Sequence, residues 1–324
     1  MSLISSFLRG LAGSAQPGAA PAAAPPPAEL SRRLDALEKR LFQMHQLAGF
    51  GFELSVGAEW RALLAQPRYG EPGRLERHGY KVWSQCDEDG ILAEIFRRIG
   101  AGARRFVEFG IADGRECNTL KLLVEGWRGL WMESSPQHCD AIRRVFAAPL
   151  AEGRLELKQT MVTAENIDAL LAGSPIAAAG ELDLLSIDID GNDYHVLKSI
   201  HGLRPRVIAI EYNGKFPPPM DVVPPYDPGF VWDGTDYSGA SLQAIANLAA
   251  RRGYRLVGTG VSGVNAFFVR EDLAGGGRFA DGGPAALYNP ARYWLLRGTP
   301  SGHPTGHRFA YTSDAALGDS LTNK

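Results

Sequence analysis

Apolar runs of strand length alternate with segments of helical periodicity between residues 84 and 272. The apolar runs predict buried strands at residues 105–110, 128–134, 155–160, 183–188 and 206–212. The segments between them predict helices near residues 115–125, 136–147, 164–172 and 192–200. Strands separated by helices are joined by βαβ crossovers. The pattern therefore predicts an α/β protein with a mainly parallel, doubly wound, Rossmann-like sheet.

The pattern changes after residue 212. A loop rich in proline and aromatic residues covers residues 214–239, and a helical pattern follows over residues 240–253. Two further apolar runs, separated by a short Gly/Ser turn, predict an antiparallel hairpin at the edge of the sheet. We therefore expect the main domain to cover residues 83–275. A C-terminal extension over residues 276–324, rich in glycine and proline, would wrap the surface.

The N-terminal residues differ from the rest of the chain. Residues 1–28 are dominated by alanine, proline and glycine, which predicts a disordered tail. Apolar residues then recur in alternating steps of four and three, at Leu30, Leu34, Leu37, Leu41 and Met44.

This spacing predicts a helix over residues 29–48 that ends near Gly49 and Gly51, followed by a lead-in over residues 49–82. The helix either forms a homo-oligomer through residues 30–47 or docks on its own domain.

Composition excludes several classes of protein. Of the 324 residues, 45% are hydrophobic, which allows a large core, and 34 basic against 36 acidic residues argue against a nucleic-acid partner. No apolar run reaches the roughly 18 residues that a transmembrane helix needs. Cys86, Cys117 and Cys139 form neither a disulfide framework nor a closed zinc site. They are typical of a reducing compartment, so we expect a cytoplasmic location.

The turn after the first strand favours a cofactor without phosphates. Gly110 and Gly114 would let the backbone approach a ligand at the start of a helix. A nicotinamide or other pyrophosphate cofactor would want a further glycine in the G-x-G-x-x-G spacing, and Glu108 and Asp113 would repel its phosphates. Carboxylates suit S-adenosylmethionine instead, which carries an ammonium and a sulfonium group. Glu133, at the end of the second strand, can accept hydrogen bonds from both ribose hydroxyls.

Four segments carry a resemblance to a known family: WSQCDEDGILAEIF, RFVEFGIADGRECNTLKLLVEGWRGLWMESSP, LLSIDIDGNDYHVLKSI and PRVIAIEYN. Over about residues 83–213 the chain resembles the FkbM-type S-adenosylmethionine-dependent methyltransferases. The resemblance implies a class I methyltransferase fold. The chain departs from the family pattern at Cys117, Ser134, Ser186 and Asp190, so the acceptor substrate does not carry over.

The loop and the resemblance together give a set of expected cofactor contacts. Glu133 would hold the ribose, Val162 would flank the adenine and Asp188 would face the methyl donor. The full predicted set is Gln85, Asp89, Glu108, Gly110, Asp113, Gly114, Asn118, Thr119, Glu133, Val162 and Asp188.

Carboxylates also follow the fourth and fifth strands, whose carboxyl ends are adjacent in a doubly wound sheet. Asp188, Asp190 and Glu211 can therefore converge, with His195 close by in the sequence. Three interpretations stay open. The three carboxylates hold Mg²⁺ or Ca²⁺; or Asp190 or His195 acts as a metal-free general base; or Asp188 contacts the donor and the others cap the next helix.

The loop over residues 214–239 is the expected acceptor pocket, since aromatic rings beside carboxylates are typical of sugar binding. Its rings belong to Phe216, Tyr226, Phe230, Trp232 and Tyr237. The leading hypothesis is an S-adenosylmethionine-dependent O-methyltransferase acting on a sugar, a glycan or a hydroxylated small molecule. One alternative is an inactive binding or scaffold protein with the same fold. The other is a nicotinamide-dependent oxidoreductase.

Overall fold

The computed structural model describes residues 26–295 and 310–311. The chain divides into two compact units, Met1–Gly57 and Ala58–Lys324. The predicted tail over residues 1–28 lies almost wholly outside the described residues. Within the described part of the chain, no helix combines the length and the apolar character that crossing a bilayer requires.

A helix of 38 residues, α1 (Pro27–Leu64), begins the described chain. The predicted helix end near Gly49 and Gly51 is wrong, because both glycines lie inside α1. A glycine inside a helix costs about 1 kcal/mol relative to alanine, which the surrounding helix-forming residues offset. The Ser55 hydroxyl also donates to the carbonyl oxygen of Gly51 at 2.9 Å, across one helical turn.

Seven strands of the second unit form one sheet, and two short strands pair separately. The strands are β1 (Arg105–Phe109), β2 (Arg128–Glu133), β3 (Leu155–Gln159), β4 (Leu184–Ile187), β5 (Val207–Glu211), β6 (Val222–Val223), β7 (Tyr254–Thr259), β8 (Asn265–Arg270) and β9 (Ala310–Tyr311). The sheet order is β3-β2-β1-β4-β5-β8-β7, while β6 pairs with β9. Strands β1 to β5 are parallel, and β8 runs antiparallel to both β5 and β7. This confirms the predicted fold class, including the antiparallel hairpin at the edge.

Both faces of the sheet are covered, which explains why its strands are continuous apolar runs. Side chains alternate between the faces along each strand. In β1, Val107 and Phe109 pack in one hydrophobic cluster, whereas Phe106 packs in the other. Glu108 therefore shares the face of Phe106, and its partners are described below.

Helices occur at each predicted position, with shorter bounds in several cases. They are α2 (Glu88–Ile99), α3 (Leu120–Val124), α4 (Pro136–Val145), α5 (Ala147–Ala151), α6 (Ile167–Ala172), α7 (Asp193–Ser199), α8 (Leu242–Arg251), α9 (Glu271–Ala274) and α10 (Gly283–Leu287). Three single 3₁₀ turns cover Pro67–Gly70, Glu76–His78 and Tyr293–Leu295.

Buried polar contacts tie the lead-in and the C-terminal residues to the sheet hairpin. The Tyr69 hydroxyl donates to Oδ1 of Asn289 at 2.6 Å, and the Asn289 amide donates to the Thr259 hydroxyl at 3.0 Å. Arg74 and Glu76 form a buried ion pair beside them, at 2.6 Å. Asn289, within the predicted C-terminal extension over residues 276–324, is fully buried.

Glu94 on α2 organises a second polar cluster. Its carboxylate accepts hydrogen bonds from Arg97 at 2.6 Å and from Arg98 at 2.7 Å. Arg98 in turn donates to the carbonyl oxygens of Gly73 and Arg278, both at 2.7 Å. The hydrogen bonds from Arg97 and Arg98 lower the pKa of Glu94 to about 2, although its partial burial opposes this.

We expect Glu94→Gln to lower the free energy of unfolding by about 2 kcal/mol at pH 7, since charged hydrogen bonds are lost. The folded-state pKa lies below the ordinary glutamate value, so the difference is complete above about pH 4.5 and shrinks as pH falls towards 2. Urea titrations at pH 7 and pH 3 measure it. The control Glu152→Gln removes an exposed pair with Arg154 and should change little. Equal stability of wild type and Glu94→Gln at pH 7 would contradict the expectation.

Candidate active site

A cavity of about 350 Å³ opens at the carboxyl ends of the parallel strands, where ligands bind in doubly wound sheets. It lies against residues that follow β1, β2, β3 and β4, and against the loop over residues 214–239. Five residues predicted from the sequence line it: Gly110, Glu133, Val162, Asp188 and Asp190. The structure therefore brings about a third of the expected cofactor residues to one cavity, and the others do not line it.

Gly110 brings the ends of β1 and β4 together. Its φ is +81°, and a Cβ atom added there would lie 1.4 Å from the carbonyl oxygen of Asp188. Only glycine allows this approach of two backbones. Gly114 has φ +75°, but an added Cβ would meet the ring of Trp131 at 2.9 Å. Gly114 is therefore required for packing and does not line the cavity.

Glu108 lies beneath the first turn and outside the cavity. Its carboxylate accepts hydrogen bonds from the backbone N–H groups of Asn118 and Thr119, both at 3.0 Å, and from the Ser186 hydroxyl at 3.0 Å. Burial raises the pKa of Glu108, and these donors oppose that effect. Its side chain thus holds the turn that directly precedes α3.

Glu108, Asn118 and Thr119, which were expected as cofactor contacts, form hydrogen bonds with one another. The Asn118 amide donates to the Ser186 hydroxyl at 3.1 Å, which joins this turn to β4. A buried carboxylate needs partners, and here the chain supplies them within a few residues. The group joins the turn before α3 to β1 and β4.

Three other predicted residues also lie outside the cavity. Asp89 is buried, and its Oδ2 accepts backbone N–H groups of residues 82–84 at 2.7 to 2.9 Å. Gln85 is exposed. Asp113 is half-buried and accepts the backbone N–H of Arg115 at 3.1 Å. Asp89 thus orders the segment before α2.

Glu133 ends β2 in the cavity wall, and one of its carboxylate oxygens is held by a backbone N–H. Its Oε1 accepts the backbone N–H of Ser135 at 2.8 Å, and the side chain is 8% exposed. His138 Nδ1 lies 3.7 Å from the same oxygen. The Oε2 atom takes no part in the hydrogen bond with Ser135. It can therefore accept hydrogen bonds from a ligand in the cavity.

The turn after β4 is shaped by Asp193, the first residue of α7. Its carboxylate accepts the backbone N–H groups of Ile189 and Gly191, both at 2.9 Å. Burial raises the pKa of Asp193 to about 6. Between these donors, Asp190 adopts φ +55°, a left-handed conformation that aspartate tolerates better than most residues. Asp193 therefore orders the turn that precedes α7.

Asp188, Asp190 and Glu211 converge at the ends of β4 and β5, as the sequence predicts. One carboxylate oxygen from each lies within 4.8 Å of the others. The Oε2 atom of Glu211 is buried and has no hydrogen-bond partner. Burial and then mutual repulsion raise the pKa values of Asp188 and Glu211 well above the ordinary range. Such a cluster is stable only when a proton or a cation neutralises part of its charge.

His195 does not reach this cluster. Its Nε2 lies 2.8 Å from the carbonyl oxygen of Pro224, which can only accept, so Nε2 carries the proton. The ring packs 5.2 Å from that of Tyr226 and is absent from the cavity wall. Burial lowers the pKa of His195. The prediction of His195 as a catalytic base is therefore not supported by its position.

Asn265 is a neighbour of the acidic cluster that sequence reasoning missed. It pairs across the sheet with Glu211, so both side chains lie on one face. Its amide donates to Oε1 of Glu88 at 3.0 Å, and its Oδ1 is buried without a partner. The available signal was a polar residue at the start of an apolar strand. The pairing of β8 with β5 was needed to interpret it.

The loop over residues 214–239 supplies one wall of the cavity through Phe230, Val231 and Trp232. Trp232 is 37% exposed and Val231 is 72% exposed, so the wall is apolar at its mouth. Of the five aromatic residues in the expected acceptor pocket, Phe230 and Trp232 line the cavity. The rings of Phe216, Tyr226 and Tyr237 do not line the cavity, and Tyr237 packs on Phe230 with centroids 5.5 Å apart.

Two contacts fasten this loop to the turn after β4. The Asn192 amide donates to the carbonyl oxygen of Asp227 at 2.7 Å. The ring of Phe230 lies so close to Gly191 that an added Cβ would meet it at 2.6 Å. The position of the aromatic wall is therefore set by the same turn that carries Asp190.

Comparisons with known proteins add little to this geometry. No protein-family model matches the chain, and no curated protein matches it. An O-methyltransferase family protein from Burkholderia thailandensis is 12% identical with a TM-score of 0.35, over 56% of this chain and 57% of that one. The CcbJ methyltransferase from Streptomyces caelestis is 14% identical with a TM-score of 0.35, over 55% of this chain and 88% of that one.

The N-terminal domain of EvdMO1 with SAH bound is 15% identical with a TM-score of 0.36, over 64% of this chain and 94% of that one. The match to the Burkholderia protein, by contrast, spans little more than half of that protein's length. TM-scores below 0.5 do not establish a shared fold. The fold described above rests on the strand order of this chain.

Proposed function

We propose that this protein is an S-adenosylmethionine-dependent methyltransferase that methylates a hydroxyl group. The observation that carries the proposal is the position of Glu133, which ends β2 in the wall of the cavity with Oε2 able to accept. A carboxylate at this point of a doubly wound sheet binds ribose hydroxyls. The residues that line the cavity include neither arginine nor lysine, which disfavours a pyrophosphate cofactor.

The other cavity residues suit the remaining parts of this cofactor. Gly110 lines the cavity where its backbone meets that of Asp188, so the methionine part can lie against the backbone there. Met161 and Val162 follow β3 and offer apolar surface for the adenine. The carboxylate of Asp188 favours a cationic sulfonium.

When bound, S-adenosylmethionine supplies an activated methyl carbon, and the remaining work is alignment and proton removal. The acceptor oxygen must lie in line with the carbon–sulfur bond, and its proton must leave. The protein contributes mainly by holding both partners in this geometry. Phe230 and Trp232 form the wall nearest the turn that carries Asp190, so we place the acceptor there.

Asp188, Asp190 and Glu211 fit a divalent cation such as Mg²⁺. Their oxygens lie within 4.8 Å of one another, and the buried Oε2 of Glu211 has no donor. Oxygen ligands suit Mg²⁺, and a cation at this point would lower the pKa of a bound hydroxyl. Without a cation, Asp190 is the better candidate for a general base, because it is the most exposed of the three.

The wall of the cavity supports the proposed class of acceptor. Phe230 and Trp232 line the same cavity as Asp188 and Asp190. Rings stack on the C–H faces of a sugar, and carboxylates accept from its hydroxyls. A sugar, a glycan or a hydroxylated small molecule is therefore the proposed acceptor.

Calorimetric titration with S-adenosylmethionine tests the proposal directly. We expect binding in the micromolar range, binding of S-adenosylhomocysteine at the same site, and no binding of NAD⁺. The titration is done first with EDTA and then with Mg²⁺, since a change would support the cation site. Absence of binding under both conditions would contradict the proposal and favour an inactive scaffold protein.

A further inference from the structure

Helix α1 carries a stripe of large apolar side chains that face solvent. Leu34, Leu37, Leu41 and Met44 are exposed by 53%, 53%, 64% and 66%. Single exposed leucines are ordinary on protein surfaces, but a continuous stripe marks an interaction site. The residues recur in steps of three and four, so they lie along one side of the helix.

We infer that this stripe binds a second copy of the chain in a parallel, two-stranded coiled coil over residues 30–44. The seven positions of a heptad are labelled "a" to "g". Leu34 and Leu41 occupy position "a", and Leu37 and Met44 occupy position "d". These are the positions whose side chains meet in the seam between two helices. The inference concerns residues 26–57 alone and does not depend on the proposed methyl transfer.

Charge complementarity favours a second copy of the helix as the partner and a parallel orientation of the two helices. Arg33 falls at a g position and Glu38 at the following e position. In a parallel pair, each g side chain faces the next e side chain of the other helix, so two Arg33–Glu38 pairs form across the seam. In an antiparallel pair, g faces g, and Arg33 and Arg40 would repel each other. A second copy in parallel orientation is therefore favoured.

The pattern also fixes where the coiled coil ends. The next a and d positions after Met44 are Ala48 and Gly51, which are too small to fill the seam. The next g position is Leu47, which carries no charge. The seam is thus about two heptads long, and we expect association to depend on protein concentration.

The first experiment measures the mass of the full chain in solution by light scattering across a range of concentrations. We expect the mass to approach twice the 35.0 kDa of one chain. The double variant Leu37→Glu/Leu41→Glu should give the mass of one chain. The control Phe42→Glu introduces one glutamate at a residue that is 63% exposed but outside the seam, and it should associate like wild type.

The second experiment tests direction with charge reversal at exposed positions, where misfolding is not a concern. Arg33→Glu and Glu38→Arg should each weaken association about three- to tenfold, and the double variant should recover it. Arg33 also pairs with Glu29 of its own helix at 3.0 Å. That pair is lost both in Arg33→Glu and in the double variant. Recovery of association in the double variant therefore reports the contact between chains.

Three results would overturn the inference. One is a mass of 35.0 kDa for wild type at every concentration. Another is tighter association of Arg33→Glu alone, which an antiparallel pair requires. The third is a one-chain mass combined with vesicle binding that Leu37→Glu/Leu41→Glu abolishes, which would make a membrane surface the occupant. Loss of association in both single charge variants with recovery in the double variant supports the parallel pair.

Discussion

Replacing Glu133 with alanine is expected to weaken binding of S-adenosylmethionine by about 100-fold or more. The carboxylate would accept two ribose hydroxyls, and hydrogen bonds to charged groups contribute about 1.5–3 kcal/mol each. The group is almost fully buried, so water compensates poorly for its loss. The change also removes the acceptor for the backbone N–H of Ser135, so part of the effect of alanine would be structural.

Glu133→Gln separates the two contributions. The glutamine carbonyl oxygen can still accept the backbone N–H of Ser135, so the start of α4 keeps its partner. The amide nitrogen replaces an acceptor by a donor and cannot accept a ribose hydroxyl. We expect Glu133→Gln to lose most of the cofactor affinity while its melting temperature stays near that of wild type.

The measurement is the dissociation constant of S-adenosylmethionine by calorimetry, with the melting temperature of each variant alongside. Glu125→Ala is the control, since Glu125 is about half exposed, pairs with Lys121 and lies outside the cavity. An unchanged dissociation constant in Glu133→Gln would contradict the ribose assignment. Retained binding of adenine without ribose in that variant would support it.

The order of strands and helices could be predicted because local patterns determine it. Strands β1, β2, β4 and β5 are buried along most of their length, so each is visible as a short apolar run between helical segments. The convergence of Asp188, Asp190 and Glu211 followed from the same pattern, because the residues directly follow neighbouring strands. Topology alone was sufficient for this part of the site.

The partners of buried polar groups could not be predicted in the same way. The sequence shows that Glu108 is an acid within an apolar strand, and a ligand contact was one way to satisfy it. The structure satisfies it with Thr119 from the next turn and Ser186 from β4 instead. Hydrogen bonds between residues far apart in sequence depend on side-chain geometry, which no periodicity records.

The sequence also could not predict which residues of a distant loop line the cavity. Phe230 reaches the site because Asn192 holds the loop at Asp227. Five aromatic residues of that loop were candidates, and composition could not select Phe230 and Trp232. The continuation of α1 past Gly49 was missed for another reason, since the helix-breaking tendency of glycine is small beside that of proline.

Asp190→Asn is expected to abolish methyl transfer while leaving cofactor binding nearly intact. Asparagine has almost the same shape and also tolerates φ near +55°, so the turn after β4 should persist. The backbone N–H groups of Ile189 and Gly191 keep their bonds to Asp193 in any case. The variant therefore removes one negative charge from the cluster with little change in geometry.

The reason for the large effect is the same under both chemical interpretations. As a cation ligand, Asp190 contributes a charged oxygen that an amide replaces poorly. As a general base, it provides the acceptor for the hydroxyl proton, a contribution of about 10²–10⁴-fold. Turnover with any acceptor found among hydroxylated compounds should fall by at least that factor. The dissociation constant of S-adenosylmethionine should change only about twofold, since Glu133 is untouched.

Cation binding decides between the two interpretations without an acceptor. Titration of wild type with Mg²⁺ or Mn²⁺, followed by calorimetry, should show a site whose affinity falls at least about tenfold in Asp190→Asn. Asp140→Asn is the control, because Asp140 is exposed on α4 and pairs with Arg143. Unchanged cation affinity with lost turnover would identify Asp190 as a base. If turnover and cation affinity both survive, the cluster at the ends of β4 and β5 takes no part in the reaction, and its carboxylates only shape the turn.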